Sequence, residues 1–200
     1  MSLLGKYPCD NITAPAYLSF TTAASTALIS IVASVGNFLV ILAVILNPNR
    51  DLTSPFNYFI ANLSFADLVI GLLSAPMSTV YSIVEGIGKL KKCEHFELAL
   101  HFTYFVPCTA SLLSLAALAL DRYVAIVHPL IYRTKLNPMR AFIVSVMVWI
   151  VSSALFMIYY ALGYNRFRFI FANTAVATAL VVLIFTNAKI FKFLRRQVDQ

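Results

Sequence analysis

Asp67 stands by itself: no other charged side chain lies between Asp51 and Glu85. If that stretch crosses a bilayer, a carboxylate near its centre costs roughly 2.5–3.5 kcal/mol on insertion scales, so it must face partners rather than lipid. Two readings follow. Asp67 is either a hydrogen-bonded or protonated structural acid, or an ion or water site that biases helix packing. Asn37, at comparable depth in the preceding apolar stretch, is the expected amide partner. A second constellation is Asp121-Arg122-Tyr123, an adjacent acid and base at the end of a stretch free of charge since Glu97. Alone it would be a surface ion pair worth little. A third is the series Tyr104, Cys108, Ser111, Leu115, Leu118 and Arg122, whose steps of four and three residues lay it on one helical stripe. Because Arg122 cannot face lipid cheaply, that stripe is expected to face the protein interior. For Leu115 and Leu118 it reads simply as helix–helix contact.

Catalysis has no comparable support. His95, His101 and His128 are scattered, without a Glu-x-x-His spacing or paired carboxylates, and the three cysteines lack zinc spacing. The six glycines are dispersed, so no phosphate-binding loop forms. The chain is therefore read as a non-enzyme with no cofactor, a sodium ion at Asp67 excepted. The net charge of +7 could suggest nucleic acid, but the bases flank apolar runs, where anionic lipid headgroups account for them.

The elements that carry these residues follow from composition. The chain is 60% hydrophobic and 12% charged, against about 45–50% and about 25% in soluble domains. No charged residue occurs between Asp10 and Arg50, between Arg140 and Arg166, or between Arg168 and Lys189. A bilayer core of about 30 Å needs about 20 apolar residues of helix, and each charge-poor window supplies them. Five spans are predicted near 17–46, 54–83, 97–127, 138–162 and 169–194. The first window is too long for a cleaved signal, and continuous apolar runs do not fit the alternating strands of a barrel. The fold class is thus all-α, a transmembrane helix bundle at 17–196 between a tail at 1–16 and an end at 197–200. With the N-terminus outside, nine Lys and Arg lie inside and six outside, the sense the positive-inside rule favours. The sequon Asn11-Ile12-Thr13 agrees, being usable as a glycosylation site only on an external tail. A second sequon, at Asn62, falls inside a span, where no glycan fits.

Gly36-Asn37, Leu63-Ser64-Phe65-Ala66-Asp67-Leu68, Asp121-Arg122-Tyr123 with Pro129 seven residues beyond Arg122, and Trp149 occur in the order and at the intervals of one family. In these motifs the chain resembles the rhodopsin-like (class A) G-protein-coupled receptors over about 17–196. The resemblance implies a plasma-membrane receptor passing an external ligand's binding to a heterotrimeric G protein. It matches Arg122 to the arginine that pairs with Asp121 at rest and turns toward the G protein on activation. Tyr123, Pro129, Leu130 and Tyr132 match the second intracellular coupling surface. Asp67 and Ser111 match a sodium site, with Asn37 in support, and Tyr104 and Cys108 match the ligand pocket. Amine receptors of the family carry an aspartate where Tyr104 stands, so the resemblance disfavours an amine ligand.

The departures are as informative. Glu97 holds the place of the family's bridging cysteine, no cysteine follows Cys108, and the loop at 163–168 is short. Ala179 and Asn187 stand where the fifth helix normally has proline and tyrosine. These features resemble the melanocortin, lysophospholipid, cannabinoid and adenosine branch. Cys9 and Cys93, both on the expected outer side, are predicted to pair in place of the missing bridge, leaving Cys108 as a small buried residue. The sequence supplies five helices where the family has seven, so a fragment or a truncated receptor is expected. The alternatives are a non-signalling form that pairs with full-length receptors, and a channel or transporter bundle, for which no internal repeat is found.

Overall fold

The computed structural model describes residues 14–46, 55–89, 94–130, 132, 138–162 and 164–198. They are helical throughout apart from short turns, with no strand among them. Five helices are long and apolar enough to cross a membrane. We label them α1 (Ala16–Ile45), α2 (Pro55–Gly86), α3 (Glu94–Val127), α4 (Pro138–Leu162) and α5 (Tyr164–Val198). The protein is a multi-pass membrane protein. α5 begins at Tyr164, so most of the stretch expected as a loop at 163–168 is helix. No proline or glycine follows Gly163 there to stop the helix.

α2 is one rod with a local widening. Pro76 has no N–H to give Leu72, and its ring would collide with that carbonyl in a regular α-helix. The chain answers with a π turn over Ile70–Ser74, in which the Ala75 N–H reaches back to the Ile70 carbonyl. The helix then ends at a Schellman cap: Lys89 N–H donates to the Val84 carbonyl at 3.1 Å and Gly88 N–H to that of Glu85 at 2.8 Å. The cap requires a left-handed residue, and Gly88 supplies it at φ 73°.

The bundle centres on α2, α3 and α4, which meet through Ala66, Ala110 and Val148, with Leu113 and Trp149 packed against them. Small side chains let the backbones approach, which matters because no hydrophobic force drives helices together in lipid. α1 is peripheral. It grips α2 through hydroxyls: Ser19 Oγ donates to Glu85 Oε2 at 3.0 Å, Thr26 and Thr79 share a 2.9 Å bond, and Ser30 Oγ donates to the Gly71 carbonyl at 2.7 Å. A Cβ on Gly71 would stand 2.7 Å from Ser34 Oγ, so only glycine allows this approach. The rest of α1 exposes large apolar side chains such as Leu28, Val32, Val35 and Leu39, as a lipid-facing helix should. α5 packs mainly on α3, burying Ala179 and Thr186.

Candidate functional site

Three polar side chains join the central helices. Asn62 Nδ2 donates to Ser114 Oγ at 2.7 Å, and Trp149 Nε1 donates to Asn62 Oδ1 at 2.9 Å. Ser114, wholly buried, donates its own hydrogen bond to the Ala110 carbonyl at 2.6 Å. Each group thus finds the partner it needs, and the Trp149 ring also meets Phe65 edge-on at 5.6 Å. An amide can accept and donate at once, which is why Asn62 can tie α3 to α4 from α2. Of the three, the sequence marks Trp149 as a motif residue and Asn62 only as a sequon inside a span, and it gives Ser114 no role. The available signal was that a polar side chain inside a span needs a partner.

Five residues further along α2, Asp67 is half-buried and makes no hydrogen bond or ion pair with the described residues. The expected amide partnership is not formed: Asn37 Nδ2 donates instead to its own helix, to the Ala33 carbonyl at 2.9 Å. An i to i−4 carbonyl is always within reach of a helical asparagine, and here it wins. Ser111 is half-buried on α3. The Asp67 carboxylate therefore keeps its lone pairs free of the described residues. No group of three His, Cys, Asp or Glu gathers among the described residues.

At one end of α3 the electrostatics are loose. The Asp121 side chain is 1% exposed and that of Arg122 42%, with Arg122 Nε 3.8 Å from Asp121 Oδ2. That separation is an ion pair without a hydrogen bond. The Tyr132 hydroxyl donates to Asp121 Oδ2 at 3.5 Å, at the edge of bonding distance. Asp121 Oδ1 and Arg122 Nε are buried with no hydrogen-bond partner. Arg122 leans instead on α2, its guanidinium carbon 3.2 Å from the Phe56 ring centroid, a cation–π stack. Burial, then the Asp121 charge and the hydrogen bond to it, push the Tyr132 phenol above its ordinary value, while Arg122 pulls the other way. Tyr123 meets His128 edge-on at 6.2 Å, and Pro129 and Leu130 are exposed. Phe56 was not foreseen, since an aromatic in an apolar helix gives no sign of what it faces.

The stripe on α3 lies one position away from the expectation. Tyr104 is 48% exposed, whereas Phe105, Val106, Thr109, Ala110, Ser114 and Asp121 are buried. Arg122, expected to face inward, reaches sideways over Phe56, and it is the acid beside it that is buried. Cys108 is half-buried with a free thiol. At the opposite end of the bundle, Tyr81 OH donates to Glu97 Oε1 at 3.4 Å, so the residue in the place of the bridging cysteine holds α3 to α2 without a covalent bond. Cys9, Cys93 and Asn11 lie outside the described residues, and so do the disulfide and the glycan expected on them.

Comparison with known proteins bears on the family of the chain. The family model of the 7 transmembrane receptor (rhodopsin family) matches residues 36–175. The human muscarinic acetylcholine receptor M5 is 37% identical over 134 residues, 66% of this chain and 24% of that protein. The human histamine H2 receptor is 36% identical over 141 residues, 70% of this chain and 37% of that protein. The rat histamine H2 receptor is 38% identical over 132 residues, 65% of this chain and 35% of that protein. The chain thus spans from about a quarter to little more than a third of these relatives.

Proposed function

The chain belongs to the rhodopsin family of seven-transmembrane receptors, and from that premise we propose that it passes the binding of an external ligand to a heterotrimeric G protein through the Arg122 end of α3. One observation carries the reading. Asp121 and Arg122 are held with unused hydrogen-bonding atoms and a weak ion pair, so little free energy is lost when Arg122 leaves Phe56 for another partner. A group meant to move between two states needs such a shallow resting well. Tyr123, Pro129, Leu130 and Tyr132 surround that end and supply the remaining contact surface. This end faces the cytoplasm of the plasma membrane in the proposal, with the N-terminus outside, as the charge bias indicates.

The ligand site is proposed around Tyr104 and Cys108. The relatives are named for acetylcholine and histamine, yet this chain has no acid on α3 between Glu97 and Asp121. A cationic amine would find no counter-ion from that helix, so a non-amine ligand is the better reading. Asp67 and Ser111 would hold a sodium ion, whose charge would offset the carboxylate and favour the resting packing of α2 on α3.

The test separates association from signalling, because output to a second messenger is expected to need the sixth helix. Membranes from cells expressing the chain are stripped of nucleotide, and co-purified G protein is measured. The wild-type chain should retain G protein and Arg122→Ala should lose it, at equal expression. Equal retention by both would overturn the proposal. An N-terminal tag stained in unpermeabilised cells checks the orientation separately, and staining only after permeabilisation would reverse it.

A further inference from the structure

Beside the Arg122 end, between α3 and α5, lies a cavity of about 200 Å³ lined by Tyr123, Val127, Lys189, Lys192 and Phe193. Its chemistry is two-sided. Lys189 and Lys192 are three residues apart, so they stand on one face of α5, and both are exposed. No acid is among the lining residues. Val127 and Phe193 supply an apolar floor and Tyr123 a phenol. The same face continues toward mid-membrane through Phe185 and Val181, both exposed, and Lys189 Nζ sits 5.3 Å from the Phe185 ring centroid. Val181, Phe185, Lys189 and Lys192 therefore form one stripe that runs from apolar to cationic. The charged part falls in the last turns of the apolar span Val176–Arg195, the depth at which lysine stems snorkel to the headgroups.

We infer that this cavity binds an anionic phospholipid, with the phosphate between Lys189 and Lys192 and an acyl chain along Phe185 and Val181. A free phosphate would meet the same two ammonium groups but nothing apolar, and water competes for exposed lysines. A lipid is already held at this depth by its tails, so the two lysines add to an anchoring that exists. Tyr123 and Val127 place the lipid against the α3 segment that carries Arg122. The inference does not depend on G-protein coupling, and in micelles it is read whichever way the bundle faces in a membrane.

The whole chain in neutral-detergent micelles, titrated with phosphatidic acid and read by native mass spectrometry, tests this. The wild-type chain should hold phosphatidic acid in preference to phosphatidylcholine. The double variant Lys189→Gln/Lys192→Gln should weaken that binding about thirty-fold, from about 1 kcal/mol for each lysine near a headgroup. Lys89→Gln, at the other end of the bundle, should change nothing. Val127→Trp fills the cavity with the charge intact and should weaken binding several-fold. Glycerol 3-phosphate in excess should not displace the lipid. Unchanged binding in the lysine double variant overturns the site. Unchanged binding in Val127→Trp does so too, since charge alone would then suffice. Displacement by glycerol 3-phosphate would assign the site to a soluble phosphate instead. Both glutamine changes are at exposed positions, and circular dichroism confirms that helicity is kept.

Discussion

The middle of the bundle and the Arg122 end of α3 are built from similar polar groups to opposite effect. At Asn62, Ser114 and Trp149 each polar atom has the partner its chemistry asks for, at 2.6 to 2.9 Å. At Asp121 and Arg122 the closest approach is 3.8 Å, and each side chain keeps an atom with no hydrogen bond. Low dielectric raises the stakes in both places, since a satisfied network rigidifies and an unsatisfied one is costly. The difference teaches where the molecule can move. α2, α3 and α4 are pinned to one another at Asn62, while Asp121 and Arg122 are held only by longer contacts, which the proposed switch would use.

That contrast can be broken by substitution. Asn62→Leu should have the largest effect, removing both inter-helix bonds and stranding the Trp149 N–H in an apolar core. A stranded buried donor costs about 1–3 kcal/mol, whereas inter-helix hydrogen bonds in membranes average about 0.6. The expected loss is therefore about 2 kcal/mol, read as a lowered unfolding midpoint in micelles. Trp149→Phe keeps the ring against Phe65 and removes one bond, so about 1 kcal/mol should be lost in the same measurement. Asp121→Asn should change stability by no more than about 0.5 kcal/mol, because the ion pair it removes is long and unbonded. If Asp121→Asn costs as much as Asn62→Leu, the two regions are equally fixed and the comparison fails. Tyr132→Phe, which removes only the 3.5 Å contact, should be smaller still, a few tenths of a kcal/mol.

Much of the fold was legible without coordinates. Long windows almost free of charge and bounded by charged residues leave an apolar helix few alternatives in lipid, where every backbone polar group must be satisfied within its own segment. Asp121-Arg122-Tyr123 marked the end of α3 because charges cannot sit deeper at low cost. Gly88 and Pro76 set a cap and a distortion through purely local constraints, although neither was among the expectations from the sequence.

Rotation about the helix axis was not legible. A stripe through Tyr104, Ser111 and Arg122 and one through Ala110, Ser114 and Asp121 differ by about a hundred degrees, one residue's turn. In a helix apolar all round, the sequence offers no strong moment to choose between them. The choice is made by neighbours: Ala66 and Val148 admit Ala110 closely, Asn62 bonds Ser114, and Phe56 draws Arg122 aside. Asn37 shows the same limit in miniature, since nothing local decides between a distant carboxylate and the carbonyl one turn back. From the amino-acid sequence came the solvent, the number of helices and the kind of receptor, because burial in lipid and helix termination are properties of single segments. Which faces meet, which polar atoms are satisfied and which are left ready to move depend on contacts between residues dozens of positions apart, and only the packed bundle decides those.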